Sequence, residues 1–274
     1  LNILIQSESL LIDFLVGILF GFIISSISYR FKFLTFSGSL AAFFLAVIIY
    51  GFGTWQWTIP IVTFFILSSL LSKYRKNKNE SVETYFEKTG ERDHFQVLAN
   101  GGLACLLVTI NYFNPSELIY IIYLSCIAAV CADTWATEIG TISKTKTIDI
   151  ISFKKVKQGV SGGVSLPGIL GSLAGAIVIA ATSLPWIESN HLMNLIIIMS
   201  AGFIGSVSDS ILGTSVQAKY ICIICSSVTE KKIHCSNETV LKKGIRWMNN
   251  DAVNFGASIS GGLFSIILYD VVKS

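Results

Sequence analysis

Charge is what this sequence has least of. Only 14% of its 274 residues are Asp, Glu, Lys or Arg, about half the share of an ordinary soluble domain, and mean hydropathy is +0.66. That shortage excludes an ordinary soluble enzyme and leaves an integral membrane protein whose apolar segments recur at span length. No RNA- or DNA-binding pattern is present, so the formal charge of +3 points to no nucleic acid. A Walker sequence is missing as well, which removes the commonest soluble nucleotide fold. Cysteine is sparse: Cys105, Cys126 and Cys131 sit in apolar runs as small hydrophobes. Cys222, Cys225 and Cys235 flank a loop on a reducing face, where disulfides do not persist.

What is there is length and regularity of apolar sequence. Candidate spans run over 9–28, 36–53, 55–72, 95–113, 117–139, 162–184, 191–213 and 250–271, each bounded by polar residues or by Gly and Pro. Nineteen of the 20 Lys and Arg residues fall on alternate connections, leaving Lys273 on the other side. The positive-inside rule then makes those connections cytoplasmic and both termini external, and an even span number keeps the alternation. The first run lacks a basic n-region and a small-residue cleavage site, so it reads as a true span and not a signal peptide. The expected fold is all-α: one polytopic bundle over 1–274 with about eight spans, carrying a cytoplasmic loop subdomain at 214–249. Anionic lipid at the inner surface accounts for the basic loops, and the charge-dense stretch from Lys73 to Asp93 reads as a solvated connection. Nothing in the pattern sets an oligomeric state.

Against this background, acids inside the spans stand out, because a carboxylate in hydrocarbon costs roughly 2.5 to 3.5 kcal/mol and marks function by default. Ala132-Asp133-Thr-Trp-Ala-Thr137-Glu138-Ile-Gly140 closes the fifth span. Asp133, Thr137 and Gly140 share one helical face, with Thr134 and Glu138 beside it. The seventh span repeats the arrangement with Gly202, Gly205, Asp209 and Gly213. Each Asp lies about 24–26 Å from the outer end of its helix at ~1.5 Å per residue, hence at matched depth near the cytoplasmic mouth. Span eight enters through Asn249-Asn250-Asp251-Ala-Val-Asn254, and Arg92, Gln96 and Asn100 line one stripe of span four. Clustered carboxylates cannot all stay ionised without a cation. Hard oxygen ligands with room for phosphate suggest Mg²⁺ and phosphoryl transfer. A transporter's ion path, or a polar cluster that only holds helices together, is the alternative; the one-sided depth speaks against a midplane transport site.

Two further stretches carry chemistry. Lys157-Gln-Gly159-Val-Ser161-Gly162-Gly163-Val-Ser165-Leu-Pro167 sets glycines before a Pro-started helix, a backbone able to aim N–H groups at an anion. The stripe Gly168, Gly171 and Gly175 suits helix packing. Cys222-Ile-Ile-Cys225 followed by His234-Cys235 supplies four N/S groups, enough for a closed structural zinc site; the apolar Ile221, Ile223 and Ile224 allow instead that the cysteines end a helix.

Taken together and in order, QVLANGG, ADTWATEIG, GVSGGVS, GSVSDSILGTSVQ and NNDAVNF resemble the family of plant phytyl-phosphate kinase and the eukaryotic transmembrane protein nineteen. This family is similar, more faintly, to dolichol kinase, phytol kinase and CDP-diacylglycerol synthase. The resemblance implies a CTP-dependent enzyme of the cytoplasmic membrane face, passing the γ-phosphate of CTP to a prenyl monophosphate of phytyl or geranylgeranyl type. By the same resemblance Asp133 and Asp209 would hold Mg²⁺, and Glu138 and Asp251 would support them. Lys157, Gly159, Ser161, Gly162 and Gly163 would bind phosphates, while Asn100, Asn250 and Asn254 orient them and Thr137 and Ser210 stand beside the nucleotide. Most members keep the Cys-x-x-Cys and His-Cys pairs; Ile between the cysteines is the departure. A cytidylyltransferase on a lipid phosphate and an ion-coupled transporter are the competing functions.

Overall fold

The computed structural model describes residues 2–79, 90–187 and 190–273. Ten residues of the charged connection, 80–89 with Lys88 among them, lie outside the described residues. The helices are α1 (Asn2–Arg30), α2 (Phe36–Lys78), α3 (His94–Phe113), α4 (Glu117–Ile142), α5 (Leu166–Thr182), α6 (His191–Ser215) and α7 (Asn250–Lys273). Six of them are long and apolar enough to cross a membrane, and α5, at 17 residues, is the shorter one. The protein is a polytopic helical membrane protein.

Helix α2 is two arms in one run of helical hydrogen bonding. Thr54 departs from helical geometry at φ 52°, ψ −150°, and the chain doubles back there. A Cβ placed on Gly101 would lie 2.9 Å from Leu45 and 3.4 Å from Ile61, although an unbroken helix would set those two leucine-sized side chains about 24 Å apart. The Lys73 ammonium likewise stands 5.7 Å from the ring of Phe33, three residues before the same helix begins. The arms before and after Thr54 coincide with the second and third runs expected from sequence. Pro60 in the second arm cannot donate to Gln56, and α4 supplies the missing donors. Tyr120 donates to the Gln56 carbonyl at 3.2 Å, and Tyr123 donates to that of Trp57.

Helix α4 is the axis of the bundle. Between Tyr120 and Ala132 all but Ile122 are buried, because glycines on three neighbours let their backbones close on it. Gly171 and Gly175 of α5 abut the Trp135 and Cys131 carbonyls, Gly202 and Gly205 of α6 abut Ala128 and Ala129, and Gly261 of α7 abuts Ala129 and Ser125. In lipid, where apolar surface gains little by meeting other apolar surface, such close approach is what holds helices together. Leu15, Phe22, Phe44, Leu106 and Ile267 remain exposed, as outward residues of a bundle in hydrocarbon would be.

The connections at one end are not plain loops. Between α4 and α5, β1 (Thr147–Asp149), β2 (Lys155–Val156) and β3 (Gly163–Val164) form an antiparallel sheet in the order β2-β1-β3. Between α6 and α7, β4 (Lys219–Ile221), β5 (Val228–Thr229) and β8 (Val240–Lys243) form a second sheet, and β6 (Ile233–His234) pairs with β7 (Asn237–Glu238). The expected sixth span, 162–184, is therefore corrected. Gly162 and Gly163 belong to the first sheet, and α5 starts at Leu166, where the Ser165 hydroxyl accepts from the Gly168 N–H at 3.3 Å and Pro167 fits the first turn.

Candidate active site

Asp133 and Asp209 face each other across α4 and α6 within hydrogen-bonding reach. Each reaches that position because glycine and alanine bring the two helices together one to two turns earlier, at Gly202, Gly205, Ala128 and Ala129. Asp209 Oδ2 is buried with no hydrogen-bond partner among the described residues, as is Asn100 Oδ1. Two acids in contact, one with an orphaned oxygen, fit a hard cation as their missing counter-charge.

Beside this pair opens a cavity of about 410 Å³. Its walls carry Asp133, Thr134, Thr137 and Glu138 from α4, Asn100 and Gln96 from α3, and Asn250, Asp251 and Asn254 from α7. Asp251 is 8% exposed and sits in the first turn of α7, where the helix dipole favours a negative charge. Lys32, Lys73, Lys76, Arg75 and Arg92 line the same cavity, so acids on one wall face a basic rim. Arg92, Gln96 and Asn100 also bound a narrow apolar groove of about 80 Å³, whose other walls include Ile24, Leu45, Ile49, Ile61 and Phe65. The polar cavity and the groove thus share one boundary.

Glu138 differs from the other acids. Its Oε2 accepts from Arg75 Nε at 2.7 Å and its Oε1 from the Ser72 hydroxyl at 2.6 Å, in a pair whose side chains are only 6% and 10% exposed. Glu138 therefore ties α4 to the second arm of α2. Arg75 escaped sequence reading because it was counted with the topology-setting loop charges. The signal was Ser68, Ser72 and Arg75 recurring at helical spacing beyond the apolar run.

The glycine loop comes close to the acid pair without lining the cavity. Gly162, at φ +81°, packs against α6 so tightly that a Cβ would overlap Thr214 Oγ1 and lie 2.8 Å from the Ser210 carbonyl. The N–H groups of Val160 and Gly163 donate within the loop, at 3.4 and 2.9 Å. Gly159 takes φ +86°, Lys157 is exposed, and Gln158 donates to the Gly140 and Ser143 carbonyls that end α4. The Ser161 hydroxyl donates to Glu230, and its carbonyl accepts from Lys219 Nζ at 2.9 Å. Glu230 is the residue that sequence reading missed outright. It is 8% exposed, lines the cavity and lies in electrostatic range of Asp209. Nothing marks it in sequence, because the strands that deliver it are two to four residues long. Burial lowers the Lys219 ammonium from its ordinary value, against the pull of Glu230.

Below the loop, Asp149 fastens β1 to α6. Burial pushes its carboxyl up, but bonds from the Ser152 N–H and hydroxyl, the Thr214 hydroxyl and the Ile151 N–H bring it down to about 2. Cys222, Cys225, His234 and Cys235 converge in the connection between α6 and α7, with one ligand atom from each within 4.8 Å of all the others.

These features define a polytopic membrane protein with a buried acidic pair, of which Asp133 lines a cavity that also carries basic side chains. Residues 19–262 match the family described as Integral membrane protein DUF92, and the chain belongs to that family, in line with the resemblance carried by its motifs. Protein PGR of Arabidopsis thaliana is 32% identical over 267 residues, covering 87% of this chain and 91% of the relative. An uncharacterised membrane protein of Methanocaldococcus jannaschii is 25% identical, covering 97% and 98%, and Protein VTE6, chloroplastic, of Arabidopsis thaliana is 21% identical, covering 87% and 66%. No solved structure matches the chain.

Proposed function

We propose that this protein is a CTP-dependent kinase that converts a prenyl monophosphate to its diphosphate at the cytoplasmic face of the membrane. The observation that carries the reading is the shared boundary: Arg92, Gln96 and Asn100 stand where the acid-walled, basic-rimmed cavity meets an apolar groove. A substrate with a phosphate at one end and a branched hydrocarbon at the other suits that junction. The phosphate would meet the Arg92 guanidinium and the Asn100 amide, and the chain would run between the arms of α2 and α3. The family's motifs, at the positions matched in sequence, support the same class of substrate and CTP as donor.

Asp133 and Asp209 are the residues to hold Mg²⁺, with Asp251 near by. When bound, the ion supplies the positive charge that lets both acids ionise and that offsets charge on the transferring phosphoryl group. Lys32, Lys73 and Lys76 receive the triphosphate, and Asn250 and Asn254 orient it. An oxygen of the lipid phosphate forms the new P–O bond to the γ-phosphorus of CTP. The bond between that phosphorus and the β–γ bridging oxygen breaks, and CDP leaves with the electron pair. The acceptor is already anionic near neutral pH, so no residue is asked to take a proton. On this reading the chain makes eight crossings with external termini and a cytosolic site, a topology supported by the basic residues of the alternate connections.

The test is product analysis. Protein reconstituted in nanodiscs with Mg-CTP and phytyl or geranylgeranyl phosphate is expected to release CDP and the prenyl diphosphate. Pyrophosphate in place of CDP would reassign it as a cytidylyltransferase. Absence of both turnover and CTP binding, with solute flux in liposomes, would replace the enzyme by a transporter.

A further inference from the structure

The cap between α6 and α7 is too small to hold itself together by burial. Its five strands have two to four residues each, and Ile223, Ile224, Ile233 and Val240 are 56% to 65% exposed. Folded units of this size commonly need a metal or a disulfide. Three backbone positions beside the cysteines, Ser226, Cys235 and Ser236, take φ values of 51° to 60°, a left-handed conformation that non-glycine residues hold only when something over-determines it.

Four side chains supply that constraint. Cys222 and Cys225 come from the turn between β4 and β5, closed by the Ser226 N–H on the Cys222 carbonyl at 2.9 Å. His234 ends β6, and Cys235 opens the turn from it to β7. His234 Nδ1 lies 3.5 Å from Cys225 Sγ and 3.3 Å from Cys235 Sγ, and the four ligand atoms fit within 4.8 Å of one another. Cys225 and Cys235 are exposed, so neither serves as a packing hydrophobe. Three sulfurs and one imidazole nitrogen, with no place left open, form the soft tetrahedral set that closed zinc sites use.

We propose that Cys222, Cys225, His234 and Cys235 bind one structural zinc ion, and that this ion fixes the cap so that Glu230 and Lys219 are held against Ser161 beside Asp209. Glu230 follows β5 by one residue and precedes β6, between the two ligand pairs. Lys219 opens β4, three residues before Cys222. Both side chains grip the same residue, the Ser161 hydroxyl by Glu230 and its carbonyl by Lys219. Releasing the ion would free the two turns that set the position of Glu230, and with it one wall of the cavity. The zinc site stands without any assumption about catalysis; only its consequence for turnover rests on the kinase reading.

The experiment uses the full chain, purified in detergent without a histidine tag from zinc-supplemented cells. Elemental analysis is expected to give about one zinc per chain. Cys225→Ser and Cys235→Ser are expected to lose it at least about tenfold, and Cys105→Ser to keep it. A chelator titrated into the wild-type protein covers the case in which a cysteine variant does not fold. Zinc removal is expected to raise hydrogen exchange over 219–243 and over 157–163 while α4 and α7 stay protected. Protein without zinc, or with iron and sulfide in its place, would overturn the site. Zinc removal that leaves exchange at 157–163 unchanged would overturn the link to Ser161. Wild-type protein that holds zinc yet turns over no prenyl phosphate would count against the kinase and leave the clamp intact.

Discussion

Asp133 and Glu138 stand five residues apart on α4, little more than one helical turn, in opposite surroundings. Glu138 has both oxygens taken, one by a buried guanidinium and one by a hydroxyl. Asp133 meets a second acid. A buried carboxylate with its cation built in serves the fold, whereas one set against its own kind requires a positive charge from outside the chain. Sequence patterning treats the two alike, and only the neighbour decides between them. The largest expected effect follows directly. Asp133→Asn and Asp209→Asn should each lower turnover with prenyl phosphate by on the order of a thousandfold, with thermal unfolding in detergent unchanged or shifted upward as the acid–acid contact is relieved. Either variant retaining near wild-type turnover, or unfolding well below the parent, would erase the distinction.

The reverse pattern is expected at the other acid. Glu138→Gln leaves the Arg75 guanidinium buried at 5% exposure without its carboxylate, which costs about 3–5 kcal/mol in comparable buried pairs. The melting temperature should fall by many degrees while turnover per folded molecule stays within a few-fold of the parent. Combining Glu138→Leu with Arg75→Met should recover much of the loss, because an apolar pair of similar volume also removes the desolvation cost. A Glu138→Gln protein that is stable but inactive would move Glu138 into the chemistry beside Asp133.

Much of this was legible in sequence, and the reasons for the rest are physical. Apolar runs of span length fix helices with little help from neighbours, so the runs at 117–139, 191–213 and 250–271 sit within α4, α6 and α7. The turn-back at Thr54 falls between the apolar runs 36–53 and 55–72. Helical depth brought Asp133, Asp251, Asn100 and Asn254 to one cavity. The glycine loop was read for its freedom to present N–H groups. Gly162 instead uses that freedom to fit under Thr214, a contact with a residue 52 positions on that no local pattern encodes. Arg75 and Glu230 were missed for the same reason: each acquires its role from a partner distant in the chain, Glu138 for one and Ser161 for the other.

Asp149 supplies a third kind of acid and the smallest effect. Its partners are chiefly hydrogen-bond donors: Ser152, Thr214 and Ile151 hold its carboxyl at about 2, with the Lys219 ammonium in electrostatic range. The unfolded chain would titrate near the ordinary 3.8, so the folded state binds fewer protons between those values. The resulting stabilisation is fully present above about pH 4 and is lost as the pH falls toward 2. The group is mostly solvated, and screening keeps its worth to about 1 kcal/mol or less. Thermal unfolding followed from pH 5 down to pH 2 should show a small drop that Asp149→Asn removes, and Thr214→Val should move its midpoint upward by deleting one donor. A drop of the same size in Asp149→Asn would assign the acid sensitivity to other carboxylates held below their ordinary value.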